Sequence, residues 1–303
     1  MGSLSRKVII GSRGSRLAVT QARLAAGRLE AIAPAVKFLF RTIKTRGDRE
    51  KHRSLEEVGG QGVFVKELES ALLSGEIDLA VHSLKDVPTE LESGLRLAAV
   101  LPREDPRDVL VAASGLPLAR MPAGSRIGTD SRRRSVQLRA LRPDLLTVPV
   151  RGNIGTRLRK VEAGEVDGII VAAAALLRLG WSDRITEYLP TSHFLPAVGQ
   201  GAIVIEMRSS DREIEGLTSG VNHVATWHGV TAERAFLHAM GGGCRAPIAA
   251  LGTATGEEVH LEGMVASADG ALIYRDTVSG PVERAQELGE NLARRILGRG
   301  GER

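Results

Sequence analysis

Apolar runs of strand length alternate with stretches of helical period along most of this chain, and that alternation limits the available folds more than any other feature. It starts with KVIIGS (7–12), a turn containing Gly and Ser, and then Ala18, Ala22, Ala25, Leu29 and Ile32 at helical spacing. That spacing puts one helix face on a core. Further strands are expected at 37–43, 77–84, 95–101, 108–114, 125–130, 145–151, 167–174 and 201–207. Helices are expected at 63–74, 131–141, 154–163 and 211–222. Strand–helix alternation of this kind predicts α/β layers with largely parallel pairing. After a helix at 226–240 the pattern changes to three alternating strands near 246–254, 257–267 and 271–279, and a last helix from about 282 to 297. That tail reads as a small α+β domain.

The Pro/Gly-bearing stretches LPREDPRD (101–108) and FLPAVGQG (194–201) best resemble crossings between domains. Two crossings imply an inserted second domain. The expected division is 1–101 with 198–219, then 102–197, then 220–303. No repeat of fixed period is visible, and no run approaches the roughly 18 apolar residues of a membrane span. The opening MGSLSRKVII has too short an apolar run for a signal peptide. The expectation is a cytoplasmic protein with no membrane partner. Cys244 is the only cysteine. One thiol forms no internal disulfide and no cysteine-based zinc cluster, and no metal site is expected.

Lys plus Arg number 41 against 36 Asp plus Glu, and 34 of the cations are arginine. Guanidinium suits bidentate binding of carboxylate or phosphate. With aromatics at 3%, base stacking is poorly provided for, and no nucleic-acid partner is expected. The arginines gather at strand ends and helix starts: Arg13 in the first turn, Arg132, Arg133 and Arg134 after GTDS, Arg151 and Arg157 around GNIGT, and Arg178. In open α/β sheets ligands bind beyond the carboxyl ends of strands, beside helix N-termini. The absence of G-x-G-x-x-G after the first strand favours a substrate with several carboxylates over a dinucleotide. In VHSLKDVPTE (81–90), Lys85 and Asp86 close an apolar strand just before Pro88. An ion pair or turn cap is one reading of Asp86; the other is a carboxylate facing a cleft, where it stabilises a cation or moves a proton.

The segments VHSLKDVPT, GGQGVFVKELE, REDPRD, IGTDSRRR, VRGNIGTRLRK, LPAVGQGA, TAERAFL and GGGCRAP closely resemble the porphobilinogen deaminase (hydroxymethylbilane synthase) family in order and spacing. The resemblance implies two α/β domains of periplasmic-binding-protein type around a cleft, plus a small C-terminal α+β domain. It implies a monomeric transferase of tetrapyrrole, porphyrin and heme biosynthesis. Four porphobilinogen molecules, each losing ammonia, would be joined into hydroxymethylbilane on a covalent dipyrromethane cofactor. Each pyrrole carries an acetate and a propionate, which the arginines would bind.

By the same resemblance Cys244 is the thioether attachment point and Asp86 the catalytic carboxylate. Lys85, Asp86, Thr129, Ser131, Arg133, Arg134, Arg151, Gly152 and Ala172 match cofactor-binding positions. Arg13, Ser15, Phe64, Arg157 and Arg178 match substrate-binding ones. The chain departs from the family's usual residues at Gln61, Asp130, Arg132, Ala175 and Gly241. The competing readings are a catalytically lapsed relative and an anionic-solute-binding protein of the same two-domain fold.

Overall fold

The computed structural model describes residues 7–45, 62, 65–241, 247–267 and 270–300; Gln61, Phe64 and Cys244 lie outside them. The chain opens with β1 (Lys7–Arg13), α1 (Arg16–Ile32) and β2 (Lys37–Ile43). Val8 and Ile10 of β1 are fully buried, and β1 pairs parallel with β2, Lys7 opposite Lys37. Ala22, Ala25, Ala26 and Leu29 form the buried stripe of α1, while Ile32, expected to continue it, is exposed. Small alanines let the helix lie close on the sheet.

Next come α2 (Lys66–Leu73), β3 (Leu79–Ser83), β4 (Leu95–Val100), β5 (Asp108–Ala112), β6 (Arg126–Gly128), α3 (Arg132–Leu141), β7 (Leu146–Val148), α4 (Ile154–Glu162), β8 (Gly168–Ala172), α5 (Ala173–Leu179), β9 (Glu187–Tyr188), β10 (Ile203–Arg208) and α6 (Arg212–Ser219). Two mixed five-stranded sheets result, β2-β1-β3-β10-β4 and β7-β6-β8-β5-β9. Their topologies are the same. In each, the local first strand lies between the second and third, and the fourth place is taken by a strand entering directly from a crossing segment.

The expectation of largely parallel pairing is corrected. β1 is parallel to β2 and β3, and β6 to β7 and β8, but β10 and β5 run antiparallel to both of their neighbours. Parallel neighbours are joined by a crossover, usually through a helix. β5 and β10 arrive from linkers instead, with no helix immediately before them. The expected strand at 167–174 is shorter, because Ala173 already starts α5.

Two compact units emerge: residues up to Arg103 with Ala202–Trp227, and Glu104–Gly201 with His228–Arg303. The second unit also contains α7 (Val224–Ala239, from His228 onward), the antiparallel sheet β11 (Ile248–Thr255), β12 (Glu258–Ala266) and β13 (Ile273–Pro281), and α8 (Ala285–Leu297). Phe236, Leu261, Leu292 and Ile296 fill the core between that sheet and its helices. Gly289 permits the contact of α8 with α7, since a Cβ there would sit 2.3 Å from the Ala232 carbonyl oxygen.

Candidate active site

In the first unit, Arg13 ends β1 and Ser15 caps α1, its Oγ accepting from the Ala18 N–H at 3.2 Å. The Ser15 hydroxyl donates to no partner among the described residues. Ser83 ends β3, and a single 3-10 turn, Leu84–Asp86, carries Lys85 and Asp86. A cavity lies at these strand ends, lined among others by Arg13, Ser15, Gln21, His82, Ser83 and Asp86. Gln21 and Ser83 hold each other across it, with Gln21 Nε2 to Ser83 Oγ at 2.9 Å and Ser83 Oγ to Gln21 Oε1 at 3.1 Å. The half-buried Asp86 carboxylate makes neither an ion pair nor a cap among the described residues. Asp86 and Arg13 line the same cavity.

In the second unit most of the remaining candidates stand where β6, β7 and β8 end, and Arg178 lies in the last turn of α5. Thr129 Oγ1 accepts from Ser131 N–H at 3.2 Å, and Ser131 caps α3 by accepting from Arg134 N–H at 3.4 Å. The first turn of α3 thereby directs Arg133 and Arg134 inward, where both are buried. Between them lies Asp108, fully buried at the start of β5. Arg133 Nη1 donates to Asp108 Oδ2 at 2.7 Å, and Arg134 donates to Oδ1 from Nε at 3.0 Å and from Nη2 at 2.6 Å. Burial alone would raise the Asp108 pKa; the two guanidinium groups outweigh it and hold the carboxyl far below its usual range.

Counting donors separates the two arginines. Arg134 also gives Nη1 to the Ile170 carbonyl at 3.1 Å and Nη2 to Gln200 Oε1 at 3.5 Å, so most of its N–H groups are spent on protein. Arg133 gives only Nη1, to Asp108 and to the Leu195 carbonyl, and keeps Nε and Nη2 without a partner among the described residues. Nε and Nη2 together make the fork that takes a carboxylate in two hydrogen bonds. Asp108 and Gln200 were missed as site residues. The Asp at the end of REDPRD was visible as part of a crossing, as the start of an expected strand and within a segment that carries the family resemblance, but nothing local tells that it meets arginines 25 and 26 residues on.

Arg151 pairs with Asp130 at 3.0 Å, so the departure at position 130 places a carboxylate on a candidate anion-binding arginine. Gly152, at φ +103°, turns the chain into α4, which Asn153 caps. Arg157 donates Nε to the Gly152 carbonyl at 2.9 Å. Desolvation, with repulsion from Arg134 and Arg151 only partly offset by Asp130, pushes its pKa down to about 10. Ala172 ends β8, and Arg178 on α5 donates to the Gly201 carbonyl at 2.6 Å. Desolvation, opposed by Glu104, brings Arg178 down to about 10 as well. Neither makes a salt bridge among the described residues, although Asp130 acts on Arg157 and Glu104 on Arg178 from farther off.

The family model described as "Porphobilinogen deaminase, dipyromethane cofactor binding domain" matches residues 8–216, and "Porphobilinogen deaminase, C-terminal domain" matches 227–298. The chain belongs to the porphobilinogen deaminase family. It is 48% identical over 292 residues to porphobilinogen deaminase of Syntrophus aciditrophicus (strain SB), covering 96% of this chain and 95% of that protein. It is 47% identical to porphobilinogen deaminase of Syntrophomonas wolfei subsp. wolfei, covering 98% and 97%. Among solved structures, the Bordetella pertussis BvgS VFT2 domain aligns with a TM-score of 0.43 at 17% identity, covering 71% of this chain and 85% of that one, and no argument rests on it. The first matched domain is the one that binds the family's dipyrromethane cofactor. The described residues suit such a group: the open fork of Arg133 and the desolvated Arg157 and Arg178 provide cationic partners for its carboxylates.

Proposed function

We propose that this member of the porphobilinogen deaminase family joins four porphobilinogen molecules, with loss of ammonia from each, into hydroxymethylbilane on a dipyrromethane group bound to Cys244. The observation that carries this reading is the match of both family domains over nearly the whole chain, with Asp86 uncommitted in a cavity beside Arg13. When bound, dipyrromethane supplies the nucleophilic pyrrole carbon to which units are added. Arg133, Arg134, Arg151, Lys85 and Ser131 hold its carboxylates, with backbone at Thr129, Gly152 and Ala172. Arg13, Ser15, Arg157 and Arg178 bind substrate carboxylates, and Phe64 neighbours a ring. Asp86 stabilises the positive charge that develops as ammonia leaves, because a carboxylate held in a cavity of low dielectric acts on that charge more strongly than water does. The protein acts as a cytoplasmic monomer without nucleic-acid or membrane partners. No helix among the described residues is long and apolar enough to cross a membrane.

Intact-mass measurement of protein from a porphobilinogen-producing host tests the reading. The expected mass exceeds that of the chain by two linked pyrrole units, and Cys244→Ala removes the excess. An active preparation of unmodified mass would overturn it.

A further inference from the structure

β6 and β7 are parallel neighbours with Gly128 opposite Val148, so the turns that follow them leave the sheet side by side. Thr129 N–H donates to the Val148 carbonyl at 2.9 Å, which fixes the start of the first turn against the second strand. Thr129 Oγ1 in turn accepts from Ser131 N–H, and Asp130 is held between the two. Arg151 stands three residues beyond Val148, and its Nη2 lies 3.0 Å from Asp130 Oδ2. This ion pair still touches water, with the Arg151 side chain 36% exposed and that of Asp130 23%. A second cation feels the same carboxylate. The charges acting on Arg157 are those of Arg134, Asp130 and Arg151, and of these Asp130 alone favours the charged guanidinium.

A guanidinium paired with a carboxylate of its own chain presents the interaction that a ligand carboxylate would make. We propose that Asp130 is an internal competitor for Arg151: it occupies this arginine until a carboxylate of the ligand displaces it, and so sets how tightly the site holds carboxylates. An incoming carboxylate trades one ion pair at Arg151 for another, and the displaced Asp130 turns to the water that it already touches. The cost is the same for every anion that needs Arg151, but it is offset differently. A small anion such as acetate or chloride has no second contact to offset it and stays in solution. A ligand with several carboxylates also reaches the Arg133 fork, whose Nε and Nη2 meet no partner among the described residues, and it remains bound. Asp130 thereby keeps small anions off an arginine that serves polycarboxylates. Discrimination of this kind comes from a repulsive element built into the site as much as from its attractive ones.

This inference rests on the proposed function for the role of Arg151, and the two fail separately: a wild-type mass lacking two pyrrole units sinks the function, whereas the binding of a simple tricarboxylate decides Asp130. Calorimetric titration of citrate into Cys244→Ala protein, which has no thiol to carry a covalent group, supplies the reference affinity. Adding Asp130→Asn keeps the shape of the side chain and removes its charge, and the Kd for citrate should fall about 5-fold, the effect of losing a partly exposed ion pair as competitor. Asp130→Ser should act in the same direction and serves if the asparagine variant does not fold. In an Arg151→Leu background the effect of Asp130→Asn should shrink below about 2-fold, because the competition passes through Arg151, whereas the bare loss of one negative charge near the site would act with or without that arginine. Equal citrate affinity with and without Asp130, an undiminished gain in the Arg151→Leu protein, or no citrate binding in any of them would each overturn the proposal.

Discussion

Asp86 and Arg157 are the single side chains at which stability and the proposed function can be measured apart. Asp86 makes no ion pair or hydrogen bond among the described residues, so Asp86→Asn should leave the thermal unfolding midpoint where it is. The same change removes a transition-state charge interaction of about 3–4 kcal/mol and should lower kcat by roughly two to three powers of ten. Steady-state kinetics and a melting curve on one sample check both halves. For Arg157 the two effects have opposite signs. A base whose folded pKa lies below its unfolded value weakens the fold while it is charged, and the penalty lifts as pH rises through about 10. Arg157→Leu should therefore leave the cofactor-free protein at least as stable at neutral pH, while product formation falls at least about 10-fold. Calorimetry beside a product assay tests this, and a clear loss of stability would contradict it. Both positions were legible in the sequence as strand-end or helix-start polar residues. Asp108 was not, because its meaning comes from Arg133 and Arg134 rather than from its neighbours in the chain.

At the scale of elements, the helix starts were legible where a short polar side chain stands before a periodic run. Ser15 and Ser131 both cap, each accepting from the N–H three residues on. Element ends were less legible. The apolar run of 167–174 gave no mark of the change from β8 to α5, since alanine and valine suit either, and two-residue β9 is too short to leave a period. Helix contact distance is likewise a tertiary fact. Gly289→Ala would favour helix locally, yet the new methyl would lie 2.3 Å from Ala232 O and 2.7 Å from Phe236 N, both backbone atoms of α7. Overpacking of that kind typically costs about 1–3 kcal/mol. The expected result is a melting midpoint lower by several degrees with unchanged helical content by circular dichroism.

Across the molecule, buried polar groups tie distant segments. Glu233 on α7, fully buried, accepts from Gly199 N–H at 2.6 Å and from Gly252 N–H at 2.8 Å, joining a crossing segment to the three-stranded sheet of the same unit. Glu233→Gln puts an amide donor against one of those N–H groups and leaves it unsatisfied, at a cost of about 1–3 kcal/mol. Hydrogen exchange should show the amide at Gly199 or Gly252 losing protection before the β12 amides do; equal protection in variant and wild type would contradict the assignment. The sequence shows no repeat of fixed period, yet the first two sheets share one strand order. By itself the sequence determined the α/β alternation, the lone thiol and the family, since periodicity and motif spacing are written in local order along the chain. Only the tertiary structure decided that β5 and β10 run against their neighbours, that Arg133 keeps an open fork while Arg134 is mostly spent, and that His82 meets Glu206. Strand direction and buried charge pairs are fixed by partners far away in sequence, 124 residues in the case of His82 and Glu206, and no local pattern specifies which partner desolvation will force each charge to find.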